Sequence, residues 1–238
     1  MTVRPERPHR QVVSYVRRSA RMNPSQRRAL DTYGPRYLLD VARGPLSTSV
    51  AEQPPLAWGS VFGRDADLMV DIGPGSGDSL VAAARAHPEA NLVGFEVFEP
   101  SVAATVGKLG QASLANVRLV LADGSAGLRQ LVPPGTLAEV RVFFPDPWHK
   151  TRHHKRRLVS PGFAALVASR LRPGGMLRLA TDWEDYALTM REVLDASELE
   201  NLYPGWAPRF AERPLTKYER RGLAAGRRIW DLCYRRRP

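Results

Sequence analysis

Apolar and polar positions along the chain alternate in short blocks. Asp67 to Ile72 (DLMVDI) reads as a strand, Gly73 to Gly77 as a glycine turn, and Asp78 to His87 as a helix. Asn91 to Val97 (NLVGFEV) predicts a second strand, Pro100 to Gly110 a helix, Val117 to Ala122 a third strand and Val140 to Phe144 a fourth. A fifth strand, Met176 to Ala180, follows the turn Arg172-Pro173-Gly174-Gly175, with a helix over Asp182 to Leu194 and a closing strand over Arg228 to Tyr234. Upstream, the spacing of Leu30, Tyr33, Tyr37, Leu38 and Val41 predicts a helix across Ser25 to Ala42, broken near Gly34-Pro35. Ser47 to Pro55 reads as a polar connector and Arg209 to Arg221 as a loop. Strands alternating with helices predict an α/β domain with an open sheet.

The first 28 residues break this rhythm. They carry eight Arg, three Pro and one acid, with only the short apolar cluster Val12, Val13, Tyr15 and Val16, and read as a flexible basic arm ahead of one domain over 29–238. Such a composition also suits a transit peptide, against which its prolines and the lack of a clear amphipathic helix count. No apolar run has the length of a membrane span, so no membrane partner is expected. One cysteine, Cys233, offers no disulfide framework, and a cytoplasmic setting is expected. The formal charge of +11 points to a polyanionic partner, of which nucleic acid is the commonest. His149 and His153 lie four apart, but a dication there would sit among Lys150, Arg152, Lys155 and Arg156, so no metal is expected.

Candidate chemistry gathers where the strands end. A strand, glycine turn and helix in succession form a nucleotide-binding opening, with Gly73, Gly75 and Gly77 letting the backbone approach a ligand. A third glycine at the dinucleotide spacing is missing, since positions 78 and 80 are Asp78 and Leu80. Asp71 before the turn would repel a pyrophosphate and suits a cationic, amino-acid-bearing ligand. Glu96 stands where a βαβ unit places an acid on ribose hydroxyls, with Glu99 as a rival, and Asp123 follows the third strand, where an acid can receive an adenine amine. The fourth strand delivers FFPDPWHKTRHHKRR, Phe143 to Arg157. Its prolines hold Asp146 on a stiff turn, Trp148 offers a flat ring for a base, and five cations between Lys150 and Arg157 suit phosphates.

With its Phe-Phe-Pro-Asp-Pro-Trp, Lys and basic His-containing run, this stretch resembles the signature of the TrmB family of bacterial tRNA (guanine-N7)-methyltransferases. Val16-Arg17-Arg18, Thr181-Asp182-Trp183 and Thr216 to Gly222 (TKYERRG) resemble further family segments, so the likeness runs over about residues 12 to 234. It implies a Rossmann-like class I S-adenosylmethionine-dependent methyltransferase with a mostly parallel seven-stranded sheet and helices on both faces. It implies methylation of N7 of guanine in tRNA, at the variable-loop guanosine of conventional position 46, without an obligate protein partner. On this likeness Asp71, Glu96 and Asp123 line the S-adenosylmethionine site and Asp146 is catalytic. Lys150, Asp182 and Thr216, Lys217, Tyr218 and Glu219 bind substrate, and Arg152 joins the cations expected on phosphates. Two alternatives stand beside it: an S-adenosylmethionine enzyme with a different nucleobase or a protein as acceptor, and a non-catalytic RNA-binding protein on this fold.

Overall fold

The computed structural model of the chain describes residues 14–15 and 21–238. Most of the expected arm, including Val12, Val13 and the Val16-Arg17-Arg18 segment, lies outside the described residues. The expected arm boundary at 28 is corrected, because helix α1 already begins at Pro24 and runs to Tyr37. Asn23 and Gln26 cap it reciprocally, each side chain accepting the other's backbone N–H at 2.9 Å, and Pro24 fills the first turn, where its missing N–H costs nothing. The break expected at Gly34-Pro35 does not occur. Pro35 falls in the last turn, and tertiary packing holds the helix there: Tyr37 is fully buried and donates to the Leu109 carbonyl at 3.0 Å.

After the short helix α2 (Trp58–Phe62) the chain builds strand and helix in alternation: β1 (Leu68–Ile72), α3 (Asp78–Ala86), β2 (Asn91–Glu96), α4 (Glu99–Gln111), β3 (Val117–Leu121), α5 (Gly124–Leu131) and β4 (Leu137–Phe143). A 3₁₀ segment, Thr151–Arg156, leads to α6 (Pro161–Arg170), β5 (Leu171–Thr181), α7 (Glu184–Asp195), β6 (Leu199–Asn201), α8 (Lys217–Ala224) and β7 (Trp230–Arg236). The strand order is β3-β2-β1-β4-β5-β7-β6. β1 to β5 are parallel, and β7 runs antiparallel between β5 and β6. This is a Rossmann-like, mostly parallel arrangement with helices on both faces, and the reversal of strand order between β1 and β4 opens the crevice where ligands bind in such sheets. β1 and β2 are buried along their whole length, as strands covered on both faces must be. Leu80, Val106 and Leu109 of α3 and α4 cover one face with Tyr37. Leu128, Val167 and Met190 of α5, α6 and α7 cover the other.

Two further expectations change. β5 starts at Leu171 and carries the Arg172–Gly175 turn inside it as a register shift against β4. The expected loop over 209–221 ends in α8, because Thr216 caps it by accepting the Glu219 N–H at 3.2 Å.

Candidate active site

A cavity of about 360 Å³ opens at the carboxyl ends of β1, β2 and β4, walled by the glycine turn, Asp71, Glu96, Phe98, Asp123, Phe143 to Asp146, and Thr216 to Tyr218. Gly73, Gly75 and Gly77 have φ of +70, +58 and +80°, the left-handed region that glycine enters at no steric cost. At Gly77 a Cβ would also come within 2.5 Å of the Thr105 side chain. Thr105 in turn donates to the Gly75 carbonyl at 3.1 Å, which fixes the turn against α4.

The three acids have distinct environments. Asp71, 3% exposed, keeps one carboxylate oxygen buried without a hydrogen-bond partner among the described residues, as does the neighbouring Ser79 hydroxyl. Burial pushes its pKa up to about 7 against the opposing charge of Arg141, with Glu96 and Glu139 adding to the rise. Glu96 accepts the N–H groups of Gly75 at 3.0 Å, Val97 at 2.8 Å and Phe98 at 2.9 Å, so it both shapes the turn and faces the cavity. Burial raises its pKa, the three N–H bonds oppose this, and the nearby Asp146 charge adds to it. Asp123 caps α5 through the Ala126 N–H at 3.0 Å and receives Ser14 Oγ at 3.5 Å while still lining the cavity. The glycine turn and the orphaned Asp71 oxygen fit S-adenosylmethionine: a carboxylate oxygen buried without a partner suits an ammonium, and Glu96 suits ribose hydroxyls. Glu99, the rival to Glu96, opens α4 and is absent from the cavity wall.

Asp146 lines the same cavity and stands between two non-glycine residues in the left-handed region, Phe144 at φ +54° and Trp148 at +49°. Strain of roughly 1–3 kcal/mol per residue persists only where neighbours over-determine the backbone, and two arginines do so here. Arg157 is buried and donates to the Pro147 carbonyl at 3.0 Å, to Thr189 at 3.1 Å and to Asp185. Arg213, fully buried, lies over the rings of Phe143 and Phe144 at 5.3 and 5.5 Å and pairs with Glu219 and Asp231. Arg157 was expected among the phosphate contacts and is corrected to a brace of the Asp146 turn. The ring of Trp148 expected to stack a base instead carries the Arg156 guanidinium 3.8 Å from its centroid.

Among the expected substrate residues, Thr216, Lys217 and Tyr218 line the cavity, and Tyr218 is 47% exposed. Glu219 is turned inward: it is 1% exposed and accepts from Arg209 at 2.7 Å and Arg213 at 3.1 Å, so it anchors the start of α8. Asp182 accepts from Arg227 at 2.8 Å and lies outside the cavity wall; Trp183, not Asp182, occupies the N-cap of α7. Lys150 and Arg152 are exposed on the 3₁₀ segment and its cap. Lys155 and Arg156 line a neighbouring cavity of about 330 Å³ that shares Asp123 with the first. The His149 ring lies tilted against Trp183 at 4.1 Å and His153 stands edge-on to Trp148 at 5.9 Å. Sequence reasoning missed the braces Arg157 and Arg213 because arginine is abundant throughout, and only burial separates structural from exposed ones.

Residues 65–232 match the family described as "Putative methyltransferase". A tRNA (guanine-N(7)-)-methyltransferase of Cutibacterium acnes is 55% identical over 97% of this chain and 85% of its own length. One of the same description from a Nocardioides species is 47% identical over 99% of this chain and 95% of its own length. Among solved structures, the 16S rRNA methyltransferase KamB superposes with a TM-score of 0.59 at 18% identity, covering 83% of this chain and all of that one. At that identity the likeness speaks for the fold.

Proposed function

The chain belongs to the tRNA (guanine-N(7)-)-methyltransferase family, and on that footing we propose a division of labour among the residues of its cavity. The protein transfers a methyl group from S-adenosylmethionine to N7 of guanine in tRNA. We infer that the target is the variable-loop guanosine at conventional position 46 and that the enzyme works in the cytoplasm. Among the described residues no helix is long and apolar enough to cross a membrane.

The observation that carries this reading is one cavity lined both by Asp71, with a buried carboxylate oxygen that lacks a partner among the described residues, and by Asp146. Asp71 would hold the ammonium of the cofactor, Glu96 its ribose hydroxyls and Asp123 its adenine edge. Bound there, S-adenosylmethionine supplies an electrophilic methyl group on a sulfonium. Guanine N7 carries an exposed lone pair, so the site needs no general base. Transfer of that methyl group from sulfur to N7 would move the sulfonium's positive charge onto the purine. On its braced turn, Asp146 would stabilise that charge and accept from the guanine N1–H and amino group. Thr216, Lys217 and Tyr218 close the substrate side, while Lys150, Arg152 and Lys155 hold phosphates. Asp182, held by Arg227, acts at the rim of the same sheet edge.

Incubation with labelled S-adenosylmethionine and unmodified tRNA, followed by digestion, is expected to yield labelled 7-methylguanosine. A tRNA whose position-46 guanosine is replaced is expected to take up no label. Label in another nucleoside overturns the activity, and label retained in the substituted tRNA overturns the assignment of the position.

A further inference from the structure

A polar rung crosses the middle of the sheet beneath the cofactor cavity. Asp71 on β1 is the register partner of Arg141 on β4, and Arg141 is the partner of Arg178 on β5. Register partners on adjacent strands stand side by side on one face, roughly 5 Å apart. Arg141 is 2% exposed; its guanidinium donates to Glu139, donates to Glu212 at 3.2 Å and lies 5.0 Å over Phe210. Glu139 also accepts from Arg178 at 3.0 Å, and Glu212 is bonded to His87 at 2.8 Å. The charge of Arg141 is thus divided between two carboxylates, while an oxygen of Asp71 beside it stays buried without a partner among the described residues. Neither methyl transfer nor tRNA binding requires an arginine at this place.

We propose that Arg141 is a positioning residue for the cofactor: standing beside Asp71 in the sheet, its charge favours the carboxylate that meets the ammonium, and Glu212, by pairing with Arg141, sets how much of that charge Asp71 feels. This rests on the reading of Asp71 as the partner of the ammonium. The groups packed around Asp71 are Ser79 from α3, Glu96 from β2, and Arg141 and Glu139 from β4, with Arg178 of β5, Glu212 and His87 beyond. Asp71, Glu96, Glu139 and Glu212 make four carboxylates against the guanidiniums of Arg141 and Arg178 and the imidazole of His87, so an incoming ammonium improves the balance. Burial raises the proton affinity of Asp71, and Arg141 is the largest opposing influence. An acid raised in this way is neutral at low pH, so it meets the ammonium as a carboxylate only as pH rises through about 7.

The test uses full-length protein and S-adenosylhomocysteine, whose affinity is measured by calorimetry from pH 5.5 to 8.5, together with a carbon-13 titration of the Asp71 carboxyl in the free protein. In the unsubstituted protein affinity is expected to fall about tenfold per pH unit below the midpoint. Arg141→Gln is expected to raise the midpoint read by the carbon-13 titration by about 1–3 units, the shift typical of a nearby opposite charge, with affinity at pH 7 reduced about fivefold or more. Glu212→Gln, at the surface end of the rung, is expected to lower the midpoint and bind more tightly at pH 6. A purely structural role for Arg141 would shift the melting temperature and leave the midpoint alone. An unchanged midpoint in folded Arg141→Gln overturns the proposal; if that variant does not fold, an unchanged or raised midpoint in Glu212→Gln does so. Asp71→Asn separates the two levels of the argument. Normal, pH-dependent binding by Asp71→Asn sinks the cofactor reading itself, whereas weak binding by it beside an unmoved Arg141→Gln midpoint sinks only the role of Arg141.

Discussion

Replacing Glu219 by Gln discriminates sharply between the role its sequence motif implies and the one its burial implies. The carboxylate is 1% exposed and receives four N–H bonds, two from Arg209 at 2.7 and 3.2 Å and two from Arg213 at 3.2 and 3.1 Å. Gln keeps the shape but loses the charge and one acceptor, leaving the fully buried Arg213 with Asp231 as its remaining ion-pair partner. Breaking a buried pair on one side costs about 3–5 kcal/mol; because Arg209 is partly exposed and the amide oxygen still accepts, roughly 2–4 kcal/mol is expected. At about 2–4 °C per kcal/mol for a chain of this size, the melting temperature should drop by roughly 4–16 °C. Burial alone would raise the pKa of Glu219, but the hydrogen bonds from Arg209 and Arg213 outweigh it and hold the pKa below 4.5. A depressed carboxyl contributes stability above its unfolded value and loses it in acid, so the gap between the two proteins should be full near neutrality and close as pH falls below about 4.5. Thermal melts from pH 3 to 8 measure this, and tRNA affinity well below the melt should change by less than about twofold, or about 0.4 kcal/mol. A variant that melts like the parent yet loses tRNA binding would refute the reasoning and return Glu219 to the substrate surface.

Asp146→Asn preserves the turn and removes the charge, so single-turnover methylation should slow by about 10²-fold or more with cofactor affinity nearly intact; a near-normal rate would take the carboxylate out of the chemistry. Gly77→Ala places a Cβ 2.5 Å from Thr105 at φ +80°, and calorimetry should show cofactor affinity down at least tenfold with a stability loss of about 1–2 kcal/mol or more; unchanged binding would mean the turn does not form the site. Neutralising Lys150, Arg152 and Lys155 should reduce the slope of log tRNA affinity against log salt by about 2–3 units, and deleting residues 1–22 should reduce it by roughly 2–4 more. An identical slope in either variant would remove that segment from the RNA interface.

The alternation of apolar strands and helices was enough to place β1 to β4 within three residues, because a strand covered on both faces must be apolar over nearly its whole length and ends where glycine, proline or an acid appears. The Phe143–Arg157 stretch and the acids Asp71, Glu96 and Asp123 were legible for the same local reason: each stands directly at or after a strand end, and parallel strands bring such ends to one edge. Local pattern had no means of deciding the continuity of α1 through Pro35, which depends on packing against a helix some 70 residues away. Nor could it sort one arginine from another. Arg157, Arg213 and Arg141 carry the same side chain as Arg152, yet the first three are buried against the carboxylates of Asp185, Asp231 and Glu212, from other segments, and the fourth is left in solvent. Glu219 and Asp71 divide in the same way: both are buried acids, one saturated by two arginines and the other left with an open oxygen. Residue type and strand-end position are written along the chain, whereas the partners that set a group's charge and freedom come from distant segments and exist only once the sheet has closed.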